Sequence, residues 1–98
     1  MRRDDALRIL SDNKAVYAEF GVLSLSIFGS VARDEAEEDS DVDILVDYTS
    51  EAPRGYFRLF ALQERLERLL GVKVDLVTVG GLRRELKDRV LAEAIRAA

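Results

Sequence analysis

The chain is 98 residues long, carries a net charge of −4 and contains neither cysteine nor histidine. This length predicts one domain over residues 1–98, and the missing residue types exclude disulfides, thiolate nucleophiles and histidine-based zinc sites or general bases, so any metal must be held by oxygen atoms. No apolar stretch approaches the roughly 18 residues of a membrane span, and the first residues lack the apolar segment of a secretory signal, which predicts a cytoplasmic protein without a membrane partner.

The first part of the sequence has the pattern of helices followed by a strand. Residues 4–20 place apolar side chains at helical spacing, with Asp4 as the predicted N-cap. The polar cluster at residues 11–13 is expected to divide this segment into two short helices, and Gly21 is expected to end it. Residues 22–28 alternate leucine or isoleucine with valine or serine, which predicts a first β-strand.

A glycine and a serine follow the first strand directly. Gly29 permits a close backbone approach and Ser30 supplies a hydrogen-bond donor, which are the properties of a phosphate-binding turn. An acidic segment comes next: residues 34–53 contain nine acids and no base, whereas the rest of the chain carries ten acids and fifteen bases. Most of the acids in this segment are expected to face water, and no direct nucleic-acid binding is expected from such a charge distribution.

Two acids in this segment differ from the others because an apolar run begins among them. Asp41 and Asp43 flank the start of a predicted second strand, residues 42–48. Alternate residues of a strand share one face, so the two carboxylates are expected to project the same way, with Cα atoms roughly 6.6 Å apart. Two carboxylates in this arrangement can share one hard cation.

The second half of the sequence predicts a helix, a strand and a last helix. Residues 55–70 carry leucines at spacings of three and four, and Gly71 is the predicted C-cap. Residues 72–79 predict a third strand, which a glycine turn follows. An apolar stripe that reaches Ile95 predicts a last helix that can cover the sheet. Three aromatic residues at the start of the long helix are expected in the core rather than on a base-stacking surface: Tyr56, Phe57 and Phe60.

These elements predict an α/β fold of the α+β kind, in which helices back a mixed three-stranded sheet. Strand, helix and strand over residues 42–79 imply a right-handed crossover between parallel strands, and the thirteen-residue loop before them allows an antiparallel return. Asp75 lies among the apolar residues of the third strand, where an unpaired buried carboxylate would cost on the order of several kcal/mol. A basic side chain could compensate this acid, but a metal shared with Asp41 and Asp43 explains it better.

Together these motifs resemble a known family. Gly29-Ser30, ten intervening residues, Asp41-x-Asp43 and the later acid Asp75 are similar to the motifs of the minimal nucleotidyltransferases, small members of the polymerase β-like superfamily. The resemblance covers the whole chain and implies the polymerase β-like nucleotidyltransferase core. One departure is Asp34, which stands where the family often has glycine. Because aspartate tolerates left-handed backbone better than most residues, the turn is expected to survive.

The resemblance implies an enzyme that transfers a nucleotidyl group from ATP and releases pyrophosphate. The catalytic carboxylates, which would also hold two Mg²⁺ ions, are those of Asp41, Asp43 and Asp75. By family analogy Asp75 lies closest to the acceptor hydroxyl and accepts its proton. Gly29 and Ser30 would grip the triphosphate. Arg33 would either add a phosphate contact or be an ordinary exposed arginine.

The acceptor of the nucleotide is expected on another protein chain, because the sequence ends directly after the last predicted helix. Proteins that resemble this one commonly act as antitoxins encoded beside a HEPN-family ribonuclease toxin, and they attach AMP from ATP to a tyrosine of that toxin. The resemblance therefore implies a HEPN toxin as acceptor and partner. Two alternatives stay open: a non-catalytic antitoxin that masks its partner, and a nucleotidyltransferase that acts on a small molecule as a homodimer.

Overall fold

The structure is a computed structural model and describes residues 1–50 and 55–98, apart from the side chain of Tyr56. In this part of the chain none of the helices is both long and apolar enough to cross a lipid bilayer. The elements in chain order are α1 (Arg3–Ser11), α2 (Lys14–Ala18), β1 (Val22–Phe28), α3 (Gly29–Ala32), β2 (Val42–Tyr48), α4 (Tyr56–Leu70), β3 (Val74–Thr78), a 3₁₀ turn (Val79–Gly81), α5 (Arg84–Glu93) and β4 (Ile95–Arg96).

The strands form one mixed sheet in the order β3-β2-β1-β4. β1 pairs antiparallel with β2 and with β4, whereas β2 and β3 are parallel. The predicted antiparallel return and the predicted parallel pair are therefore confirmed. The prediction of three strands was wrong, because residues 95–96 do not continue a helix but pair with the outer edge of β1. Backbone groups along that edge gain hydrogen-bond partners, as when the N–H of Ala97 donates to the carbonyl oxygen of Leu25 at 2.8 Å.

The N-terminal segment is divided into two helices, as its polar cluster predicted. Asn13 lies between α1 and α2, and its side-chain amide donates to the carbonyl oxygen of Ile9 at 2.7 Å. The predicted N-cap was wrong: α1 begins at Arg3, so Asp4 lies in its first turn, where a carboxylate interacts favourably with the helix dipole. The N–H of Arg3 donates instead to Oδ1 of Asp34, at 3.2 Å.

The hydrophobic core lies between the sheet and helices α1, α2 and α4. Most of its buried side chains come from five elements: Ala6 and Leu10 on α1, Tyr17 on α2, Leu25 and Ile27 on β1, Val42, Ile44 and Val46 on β2, and Leu62, Leu66 and Leu70 on α4. Val31 and Ala32 on α3, Val74 on β3 and Ala97 complete the cluster. Gly71 ends α4 with a φ of 72°, as predicted. Since alternate residues of a strand point to opposite faces, the residues between the buried ones on β2 are directed away from this core.

Two predictions about apolar side chains were wrong. Phe57 and Phe60 are 92% and 60% exposed rather than buried, and the side chain of Tyr56 lies outside the described residues. Phe60 is two positions from Leu62 and therefore lies on the opposite side of α4 from the buried leucines. The last helix, α5, buries none of its residues, so it does not cover the sheet as its apolar stripe predicted.

Candidate active site

The register of the central strands places two of the predicted acids side by side. Asp43 on β2 pairs with Asp75 on the parallel strand β3, and paired residues of neighbouring strands project to the same face. Asp41 lies two residues before Asp43, at the entrance to β2. The pKa of Asp43 is raised, first by burial and then by the negative charges of Asp75 and Asp41, so all three acids lie within electrostatic range. The structure brings the three predicted acids together.

Asp75 is exposed, although it lies in a strand that is otherwise apolar. Because the side chain is exposed, the cost of an unpaired buried carboxylate does not arise at this position. The reason is that β3 is an edge strand of the sheet, so the side chain reaches water. Asp75 takes part in none of the ion pairs found among the described residues. Its carboxylate, on the same face as that of Asp43, is therefore accessible to an incoming molecule.

The three carboxylates suit a hard divalent cation by their chemistry. Carboxylate oxygens are the protein ligands that Mg²⁺ prefers, and a cation would remove the mutual repulsion of three like charges on one face. They are not arranged as a finished coordination shell, since residues 1–50 and 55–98 contain no group of three acidic side chains in metal-binding geometry. The donor set fits the metal, and a cation at this place would offset both the burial and the like charges that raise the pKa of Asp43.

The turn between β1 and α3 lies directly against Asp43. Phe28, the last residue of β1, is the cross-strand partner of Asp43, and Gly29 follows with a φ of 70°. A Cβ atom at Gly29 would overlap the Asp43 carboxylate. Position 29 therefore requires glycine for two reasons, its left-handed backbone and the space that it leaves for the acid. Ser30 comes next and is half-buried.

Arg33 follows α3 and is held by two carboxylates. Its Nη1 donates to both oxygens of Glu93, each at 3.1 Å, and its Nε donates to Oε2 of Glu35 at 3.0 Å. The side chain is exposed, which was one of the two predicted alternatives, yet its guanidinium is fixed in position by these ion pairs. Among the described residues none accepts a hydrogen bond from Nη2, so these donors are available for a ligand.

Glu93 is the residue at this site that prediction from the sequence missed. It is the last residue of α5, and besides its bonds with Arg33 its Oε1 accepts a hydrogen bond from the N–H of Gly29 at 2.7 Å. This N–H was expected to be part of a phosphate turn and already has a partner here. The one signal in the sequence was an acid inside the apolar stripe of the last helix, where a carboxylate needs a partner.

Asp34, which stands where the family often has glycine, adopts a left-handed backbone conformation. Its φ of 59° is left-handed, and no other non-glycine residue of the described chain has a positive φ. Its carboxylate accepts the N–H of Arg3, so the side chain that replaces glycine also ties the turn to the start of α1. The predicted survival of this turn is confirmed.

Comparisons with known proteins identify the family. The nucleotidyltransferase domain family matches residues 7–97. The chain is similar to the protein adenylyltransferase MntA of Thermococcus cleftensis, with 42% identity over 87 residues, which are 89% of this chain and 86% of that protein.

Solved structures show the same fold. A candidate minimal nucleotidyltransferase superposes with a TM-score of 0.82 and 39% identity, covering 97% of this chain and 95% of the other. A complex of a tri-AMPylated HEPN toxin of Shewanella oneidensis with its MNT antitoxin gives a TM-score of 0.62 and covers 91% of this chain and 70% of the other; at 20% identity it shows the fold alone. The family match and the MntA relative both extend over most of the sequence, and the chain therefore belongs to the nucleotidyltransferase domain family, among the MntA-like minimal nucleotidyltransferases.

Proposed function

We propose that this chain transfers AMP from ATP, in the presence of Mg²⁺, to a hydroxyl group of a partner HEPN ribonuclease toxin and so acts as the antitoxin. A tyrosine of the toxin is the expected acceptor. One observation carries the proposal: three carboxylates, of Asp41, Asp43 and Asp75, lie beside a turn whose glycine leaves space for one of them. Nucleotidyl transfer needs metal ligands and phosphate donors in this proximity.

Relatives support this choice of donor and acceptor. The Thermococcus cleftensis relative is named a protein adenylyltransferase. Among structures of the same fold, one toxin–antitoxin complex was solved with AMP-PNP, and the Shewanella oneidensis complex contains a toxin that carries AMP groups. These are properties of those proteins. We extend them to this chain because its sequence aligns with the adenylyltransferase over 89% of its length.

In this proposal the residues of the site have separate tasks. Asp41 and Asp43 hold the Mg²⁺ ions, which would offset the phosphate charge and acidify the acceptor hydroxyl. Ser30 and the Nη2 donors of Arg33 bind phosphate oxygens. Asp75, an exposed acid beside Asp43, completes the shell of one ion and accepts the proton of the acceptor hydroxyl, as the family resemblance implies. The acceptor oxygen bonds to the α-phosphorus while the bond from that phosphorus to the bridging oxygen of the β-phosphate breaks, and pyrophosphate leaves.

Intact-mass spectrometry of the partner tests the proposal. The purified chain is incubated with ATP, Mg²⁺ and the HEPN protein encoded beside it, and we expect the mass of that protein to rise in AMP units. Asp41→Asn should abolish the increase because the site loses a metal ligand. Asp39→Asn is the matched control, since it removes an exposed acid two positions away and should leave the reaction intact. A HEPN protein that stays unmodified by the wild-type chain would contradict the proposal.

Two further measurements separate the proposal from its alternatives. If the chain only masks its partner, a variant that combines Asp41→Asn with Asp43→Asn should protect cells from the toxin as well as the wild type does. If the acceptor is a small molecule bound by a homodimer, the wild-type chain should release pyrophosphate when the small molecule is supplied without any protein partner. Either result would replace the proposed protein adenylylation.

A further inference from the structure

Glu93 connects the end of α5 to two residues that lie sixty or more positions earlier in the chain. Its carboxylate accepts the N–H of Gly29 at 2.7 Å and two hydrogen bonds from Nη1 of Arg33 at 3.1 Å. The side chain of Glu93 is 24% exposed, whereas that of Glu35, the other acid on Arg33, is 65% exposed. Because exposed ion pairs contribute little, Glu93 is the partner that fixes the arginine.

The short strand β4 explains why Glu93 reaches this turn. β4 pairs with β1 so that Ile95 lies opposite Ile27. Continued two residues beyond the paired strands, this antiparallel register brings Glu93 level with Gly29, to which its carboxylate is hydrogen-bonded. The ladder between β4 and β1 therefore anchors the backbone two residues from Glu93. The pairing of β4 with β1 brings the backbone of Glu93 close to the turn, so its carboxylate reaches Gly29 and Arg33.

We propose that Glu93 is a positioning residue of the nucleotidyl-transfer site, which holds the Gly29 turn and the Arg33 guanidinium where they receive the phosphates of the nucleotide. The identity of this ligand rests on the proposed function. Without Glu93, the N–H of Gly29 would lose its acceptor and Arg33 would be held only by the exposed Glu35. The turn would then lose the contacts that set its position against Asp43.

Glu93 occupies an N–H and a guanidinium that a phosphate group could also bind. The alternative is therefore that ATP displaces the Glu93 carboxylate when it binds. The contacts argue against displacement. Glu93 accepts one hydrogen bond from the N–H of Gly29 and two from Nη1 of Arg33, so a phosphate that displaced it would have to replace all three. Because the anchored β4 also limits the movement of Glu93, the carboxylate stays in place while the nucleotide binds to the remaining donors.

Amide hydrogen exchange at Gly29, followed by NMR on the whole chain without nucleotide, is the first test. We expect exchange about tenfold faster in Glu93→Ala than in the wild type, with Glu93→Gln in between because its amide oxygen still accepts a hydrogen bond. The second test is the Kd for Mg-ATP, which we expect Glu93→Ala to raise about tenfold and Glu93→Gln to raise less. Glu85→Gln is the control, since it alters an exposed acid on the same helix.

The outcomes distinguish this inference from the proposed function. Unchanged exchange at Gly29, or tighter Mg-ATP binding in Glu93→Ala, would overturn the role of Glu93. A lower Tm with an unchanged Kd would also overturn it, because Glu93 would then stabilise the fold without positioning the site. A wild-type chain that binds Mg-ATP but never modifies the HEPN protein would instead overturn the proposed acceptor and leave the role of Glu93 standing.

Discussion

Strand β2 contributes to the core with one face and to the candidate site with the other. Val42, Ile44 and Val46 are fully buried, whereas Asp43 alternates with them and lies beside Asp75. The apolar face gains free energy by leaving water, while burial and like charges make the ionised form of Asp43 unfavourable. Neighbouring residues of one strand therefore have opposite effects on stability, and substitutions on the two faces should separate the stability of the fold from the chemistry of the site.

The largest expected effect comes from removing the charge on the acidic face. Asp43→Asn should lower the rate of the proposed AMP transfer about a thousandfold, because the site loses the central one of its proposed metal ligands. The free energy of unfolding in EDTA should not fall, since burial and the charges of Asp75 and Asp41 raise the pKa of Asp43 and so disfavour its ionised form at neutral pH. Initial rates of partner modification and thermal unfolding measure the two quantities. If Asp43→Asn were inactive because it had unfolded, the separation of the two faces of β2 into a stabilising face and a functional face would be wrong.

The opposite result is expected one position further along the strand. Ile44→Ala should lower the free energy of unfolding by about 3 kcal/mol, because it leaves a cavity at a fully buried site. The rate of AMP transfer per folded molecule should change little. Leu23→Ala on β1 is the control, since this side chain is 56% exposed and its removal should cost less than about 1 kcal/mol. Urea denaturation measures the free energy of unfolding of both variants. Equal losses for Ile44→Ala and Leu23→Ala would contradict the assignment of Ile44 to the hydrophobic core.

The smallest effect concerns a polar atom on the buried side. Tyr17 is buried, its hydroxyl has no hydrogen-bond partner among the described residues, and burial raises its pKa to about 12. Because the folded pKa lies above the ordinary value of 10, ionisation of this hydroxyl favours the unfolded state. The free energy of unfolding is therefore unaffected by this ionisation below pH 10 and falls as the pH rises towards 12. Tyr17→Phe should therefore raise the free energy of unfolding by up to about 1 kcal/mol at neutral pH and weaken the decline above pH 10. Denaturant titrations between neutral pH and pH 12 check both, and an equally steep decline in the phenylalanine variant would assign it to other groups.

Two of the three strands that build the site, β1 and β2, were predicted from the sequence with both boundaries. Residues 22–28 and 42–48 alternate their side chains with a period of two, which is a local property that needs no tertiary contact. The closeness of Gly29 to Asp43 also followed from sequence, because a single loop joins these strands and allows them to return antiparallel. Local patterns were sufficient for this half of the site.

Contacts between distant parts of the chain account for what was missed. A strand of two residues inside an apolar stripe has no pattern that separates it from a helix, so β4 could not be predicted, and Glu93 was missed with it. Phe57 and Phe60 were assigned to the core from residue type, although helix geometry places them opposite the buried leucines. The exposure of Asp75 could not be predicted, because the sequence does not show which strand forms the edge of the sheet.

The pairing of Asp43 with Asp75 also has a consequence for refolding. If β3 paired one residue out of step with β2, Val74 or Leu76 would take the place beside Asp43, and the third acid would turn to the opposite side of the sheet. Such misaligned molecules would keep much of their secondary structure and look native by circular dichroism. Specific activity would then report the yield of correctly aligned chains, which spectroscopy of the backbone alone does not resolve.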